Sequence, residues 1–146
     1  MAEIRLTAGE AFVVQVEART HTFLVDEPAE AGGQDLGPAP YELLAAALGS
    51  CTSMTLRFYA NREAIPLEGI VIRVIHDRKY ARDCENCLST DGYIHNFELE
   101  LELKGNLLTR DQKEKLLEIA GRCPVNKTLS REIRIEERLV EPGTER

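Results

Sequence analysis

The stretch that most constrains this chain is residues 40–63, PYELLAAALGSCTSMTLRFYANRE, the longest run that can be helical throughout. Pro40 suits the first turn of a helix, where its missing N–H costs nothing, and Pro66 stops the run. Leu44, Leu48, Cys51, Met54 or Thr55, and Phe58 recur at helical spacing, and Leu43 and Ala47 widen that apolar stripe. Ser50, Ser53, Arg57 and Asn61 fall on the other side. Gly49 and Ser50 are the place where such a helix is expected to kink or restart. A helix this long with a broad apolar face needs more cover than two small sheets supply. A homodimer with helix packed on helix is therefore expected.

The flanking segments read as β-structure. Residues 3–8 read as a short strand. Phe12, Val14 and Val16 alternate with Val13, Gln15 and Glu17, and residues 21–26 return as the second arm of a hairpin turning at Arg19 and Thr20. Residues 27–39 form a Gly-, Pro- and acid-rich loop, long enough to suggest a functional loop or an inter-subunit wrap. Beyond the helix, residues 67–80 form a second β region. Phe97, Leu99, Leu101 and Leu103 then alternate with Glu98, Glu100, Glu102 and Lys104, giving one buried and one wet face. Thr109 and Gln112 make a capping box for a helix running to about Arg122. Cys123 and Pro124 break it, a short helical turn follows over 125–129, and Ile133, Ile135 and Leu139 predict a final strand. The order, with its hairpin connections, predicts one α+β domain over residues 1–146 with antiparallel sheet.

Composition excludes several functions. The formal net charge is −7 across 146 residues, with no basic run, which argues against a nucleic-acid or anionic-membrane partner. No apolar stretch approaches the roughly 18 residues of a membrane span, and the first ten residues lack the apolar core of a signal peptide. A cytoplasmic protein is expected. In that compartment four cysteines point to catalysis, metal binding or plain burial rather than a structural disulfide framework.

Cys51 lies on the helix stripe. By spacing it is either a small buried apolar residue or a reactive thiol. In the second case a helix restarting at Gly49 would place it in a first turn, where unpaired N–H groups lower a thiol pKa. Cys123 precedes Pro124, with Arg122 and Lys127 nearby as candidate pKa-lowering charges, and is open to the same two readings. A second thiol there could resolve a sulfenic acid on Cys51 by forming a disulfide. Cys84 and Cys87 form a CxxC, which is a pair without special function, a redox dithiol or half of a zinc site. For the zinc site His76 and His95 are the obvious further ligands.

The stretch GPAPYELLAAALGSCTSM, followed downstream by RCPVNKTL, resembles the OsmC/Ohr family of osmotically inducible and organic hydroperoxide resistance proteins. The resemblance covers about residues 12–140. It implies an OsmC-like α+β fold in an intertwined homodimer, with antiparallel sheets wrapped around long central helices. It also implies a cysteine peroxidase without metal or organic cofactor. Cys51 matches the peroxidatic thiol and Cys123 the resolving thiol. The substrate would be an organic hydroperoxide, and the reductant a lipoyl-type or small dithiol. Peroxidases of the family place a Glu directly after the Pro, paired with an Arg from the first hairpin. Here Tyr41 stands in that position, Glu42 follows it, and Arg19 is the candidate Arg. The Cys84–Cys87 pair is an addition to the simplest family pattern.

Two other readings compete: a non-catalytic protein of the same fold holding a small apolar ligand, and a redox or metal sensor centred on Cys84 and Cys87.

Overall fold

A computed structural model describes residues 3–9, 11–83 and 91–140. Strands β1 (Arg5–Ala8), β2 (Val14–Ala18) and β3 (His21–Val25) form an antiparallel sheet in that order. Val14 pairs with Val25 and Ala18 with His21, so the hairpin turns through Arg19 and Thr20 as expected. Arg19 adopts a φ of 58°, the left-handed conformation that tight hairpin turns favour.

Helix α1 (Pro40–Arg62) is unbroken. The expected kink or restart at Gly49 and Ser50 is absent, and the physical reason is packing. Gly49 is buried against the second sheet, where an added Cβ would lie 3.0 Å from Val74 Cγ2. It is a point of close approach between helix and sheet. The buried stripe is also rotated from the expected one. Leu48, Gly49, Thr52, Leu56 and Ala60 face inward, while Met54 and Phe58 are 71% and 70% exposed. The helix lays its small side chains against the sheet, which leaves its bulkiest residues outward.

That sheet pairs β4 (Gly69–Tyr80) with β5 (Tyr93–Lys104), antiparallel along their whole lengths. Ile70, Ile72 and Val74 share one face with Leu103, Leu101 and Leu99, and this face packs on α1. Glu98, Glu100 and Glu102 occupy the other, with Arg73 paired to Glu100 at 3.2 Å. Helix α2 (Arg110–Ala120) opens on the predicted capping box: Thr109 Oγ1 accepts from the Gln112 N–H, and Gln112 Oε1 accepts from the Thr109 N–H. Leu56, Ala60, Leu67, Leu116, Ile119 and Ala120 form the core between α1, α2 and the sheet. A short helix α3 (Pro124–Leu129) then returns against α1.

Two further features position the site. Asp26 is buried at the end of β3, and its carboxylate accepts N–H groups from Glu27, Gln34 and Leu36. One side chain thus folds the 27–39 loop back on itself. Gly37 lets that loop touch the strand, since a Cβ there would sit 2.1 Å from the Leu24 carbonyl oxygen. The final strand expected over residues 133–139 does not form. No described strand pairs with it, and Ile135 and Leu139 are 75% and 96% exposed. Among the described residues, no helix is long and apolar enough to cross a membrane.

Candidate functional site

Cys51 and Cys123, far apart in sequence, meet where α3 crosses α1. Both are free thiols, close enough for each to alter the other's acidity. Their surroundings differ. Cys51 sits in the middle of α1, partly exposed, with Thr55 one turn on. Cys123 is fully buried and is the N-cap of α3, where its Sγ accepts the Asn126 N–H at 3.2 Å. A sulfur thus occupies the position that Ser, Thr, Asp or Asn usually takes at a helix start, and Pro124 fills the first helical position, where no N–H is required.

These surroundings pull the two thiols apart in acidity. Burial raises the Cys51 pKa, and the neighbouring Cys123 sulfur raises it further, against the opposing Val125 N–H and the Thr55 hydroxyl. Burial also disfavours the Cys123 thiolate. There the Thr52 hydroxyl, the Asn126 N–H, the Cys51 thiol and the Val125 N–H together outweigh it, so the Cys123 pKa is lowered. Thr52 is fully buried, and its Oγ1 makes no well-formed hydrogen bond. It lies near the Cys123 sulfur and lowers that thiol's pKa. The surroundings therefore favour the thiolate at Cys123 over the thiolate at Cys51. The groups that favour the thiolate are neutral. Arg122, a candidate charge by sequence, is ion-paired to Glu118.

The supporting residues named from sequence are placed elsewhere. Glu42 Oε2 accepts the Ala39 N–H at 2.8 Å and so caps α1. Tyr41 stacks on His76, with ring centroids 4.6 Å apart and planes 7° from parallel. Arg19 is exposed in the β2–β3 turn, and no ion pair joins it to Glu42 among the described residues. Cys84 and Cys87 lie outside the described residues. Thr52 is the residue that sequence reading passed over. It belongs to the strict four-residue series Leu48, Thr52, Leu56 and Ala60 that forms the buried face, and a hydroxyl in such a series is a signal in itself.

One long helix laid on an antiparallel sheet places the chain in the α+β class. The family model for OsmC-like protein matches residues 32–138, and the chain belongs to that family. Solved structures agree in fold. The organic hydroperoxide resistance protein OsmC of Legionella pneumophila superposes with a TM-score of 0.65 at 22% identity, covering 88% of each chain. An OsmC-like protein of Mycoplasma pneumoniae gives 0.66 at 17% identity, covering 89% of this chain and 87% of that one. The organic hydroperoxide resistance protein OhrB of Bacillus subtilis gives 0.61 at 20% identity, covering 88% and 89%. No curated protein matches in sequence.

Proposed function

We propose that this protein is a cytoplasmic, thiol-dependent peroxidase that reduces organic hydroperoxides with Cys51 and Cys123. The observation that carries the reading is the contact between two free thiols of opposite acidity shift, one reachable and one buried. Membership of a family whose solved relatives include named organic hydroperoxide resistance proteins supports the substrate class.

Access decides the order of events. Cys51 is the sulfur a peroxide can reach, and Cys123 waits beside it. The Cys123 thiolate takes the Cys51 proton. The resulting Cys51 thiolate attacks the distal peroxide oxygen: an S–O bond forms, the O–O bond breaks, and the alkoxide leaves as alcohol after gaining a solvent proton. Cys51 is now a sulfenic acid. Cys123 attacks its sulfur, water departs and a disulfide closes. A lipoyl-type or small dithiol reopens the disulfide through a mixed disulfide and restores both thiols. The acid–arginine pair of family peroxidases has no counterpart in Glu42, which caps α1. The exposed face of α1 around Met54 and Phe58 is where a second copy would pack in a homodimer.

The test is consumption of cumene hydroperoxide by reduced protein with excess dithiol. Cys51→Ser should abolish it. Cys123→Ser should leave a Cys51 sulfenic acid that a dimedone probe traps and that no longer closes to a disulfide. Failure of fully reduced wild type to consume the peroxide would overturn the proposal.

A further inference from the structure

The β4–β5 hairpin carries a second cluster on the face that packs on α1, beyond the aliphatic residues. The register pairs His76 with Phe97 and Arg78 with His95, so the two histidines are diagonal neighbours on one face. His76 Nε2 lies 3.0 Å from His95 Nδ1. The rings are 6° from parallel with centroids 5.2 Å apart, a nearly coplanar, edge-to-edge pair. Tyr41, from the first turn of α1, stacks over both, at 4.6 Å and 5.3 Å. Phe97 stacks on His76 at 4.6 Å. Neither imidazole serves the thiol pair.

The geometry points to His76 and His95 as a bidentate site for a borderline divalent transition cation such as Zn²⁺, Ni²⁺ or Cu²⁺. Two nitrogens facing each other at hydrogen-bond distance hold one proton between two lone pairs. A metal can take that proton's place. With metal–nitrogen bonds of about 2.0–2.1 Å, two imidazoles stand about 2.9 Å apart at a right angle and about 3.3 Å apart at the tetrahedral angle. The observed 3.0 Å lies within that span, and each ring turns within its plane to bring its lone pair onto the metal. Imidazole donors select these cations over Mg²⁺ and Ca²⁺. The aromatic stack fixes both rings in the plane before the metal arrives, which lowers the ordering cost of binding. His95 is exposed, so the cation enters from solvent. Arg78 is an opposing charge, paired with His95 across the strands, and its guanidinium leans over Tyr93, 5.7 Å from the ring centroid. Among the described residues no third His, Cys, Asp or Glu joins the pair.

The test is a Zn²⁺ and Ni²⁺ titration of the reduced full chain followed on the histidine ring resonances by NMR. His21, the only other histidine, is an internal control on the exposed β3 strand. The first equivalent should move the His76 and His95 signals together and leave His21 unmoved. In His76→Ala the affinity read on His95 should fall at least about tenfold, as metal sites that lose a supporting contact already do, and His95→Ala should do the same when read on His76. The inference is overturned if the His76 and His95 signals stay still while metal is added, if they move only alongside His21, or if the surviving imidazole binds as tightly in each variant.

Discussion

Gly49→Ala tests whether the contact between α1 and β4 is as tight as it looks. Two effects oppose each other. In a helix interior Ala is favoured over Gly by about 1 kcal/mol. The new Cβ would stand 3.0 Å from Val74 Cγ2 and 3.9 Å from Ile72 Cγ2, and overpacking a tight contact costs about 1–3 kcal/mol. The opposing atom is a methyl at the end of a half-buried side chain, so it can give way by a few tenths of an ångström. The expected net is a destabilisation of about 0–2 kcal/mol. Val74→Ala removes the opposing methyl. In that background Gly49→Ala should recover its helix-propensity gain, giving a coupling of about 1 kcal/mol or more in the double-mutant cycle. Urea unfolding by circular dichroism measures all four proteins, at one protein concentration because assembly would shift the midpoint. If Gly49→Ala stabilises by its full propensity gain, and does so equally in the wild-type and Val74→Ala backgrounds, the close-contact account is wrong.

Three further outcomes follow from the same structure. Thr52→Val keeps the side-chain volume but removes the hydroxyl facing Cys123. The Cys123 thiolate should then appear at higher pH, read as thiolate absorbance near 240 nm, with little loss of fold stability because the Oγ1 has no well-formed hydrogen-bond partner to lose. For Asp26, burial opposes ionisation, but the Gln34, Leu36 and Glu27 N–H groups outweigh it and hold its pKa below the usual carboxylate value. Its stabilisation is therefore complete above the unfolded carboxylate pKa and is lost as pH falls through the lowered one. Asp26→Asn should lower the melting temperature at pH 7, and the gap to wild type should narrow in acid. A double substitution of Met54 and Phe58 to Glu places charge on the exposed face of α1. If that face joins two copies, analytical ultracentrifugation will show the variant as a monomer and the wild type as a dimer.

The sequence made the elements legible wherever local rules decided them. Pro40 opened α1, Thr109 and Gln112 opened α2, and the alternation of Phe97 to Leu103 marked β5. It failed where the choice lay between equivalent local patterns. The long helix offers one stripe through Leu44, Leu48, Cys51, Met54 and Phe58 and another through Leu48, Thr52, Leu56 and Ala60. Large apolar side chains mark out the first, yet the buried face is the second, beside Gly49, where β4 comes close. Residues 133–139 keep the alternation of a strand, but a strand exists only where an edge receives it, and no described strand does.

The same limit explains why the site was half legible. Residue type and motif singled out Cys51 and Cys123, but acidity is a property of position. The expected source of a low pKa was a helix start at Cys51, and the continuous α1 removes it. The helix start is at Cys123, where Pro124 begins α3 and the Asn126 N–H meets the sulfur. The reachable thiol and the acidic thiol are thus different residues. In the proposed reaction a peroxide meets Cys51 while the surroundings favour the thiolate at Cys123, so one proton passes between the two sulfurs before attack. That step makes the reaction depend on both cysteines before any disulfide is formed. The early, single-turnover rate of Cys51 oxidation should then fall in Cys123→Ser, beyond the loss of resolution. A rate equal to wild type in a stopped-flow single turnover would show that Cys51 ionises without its neighbour.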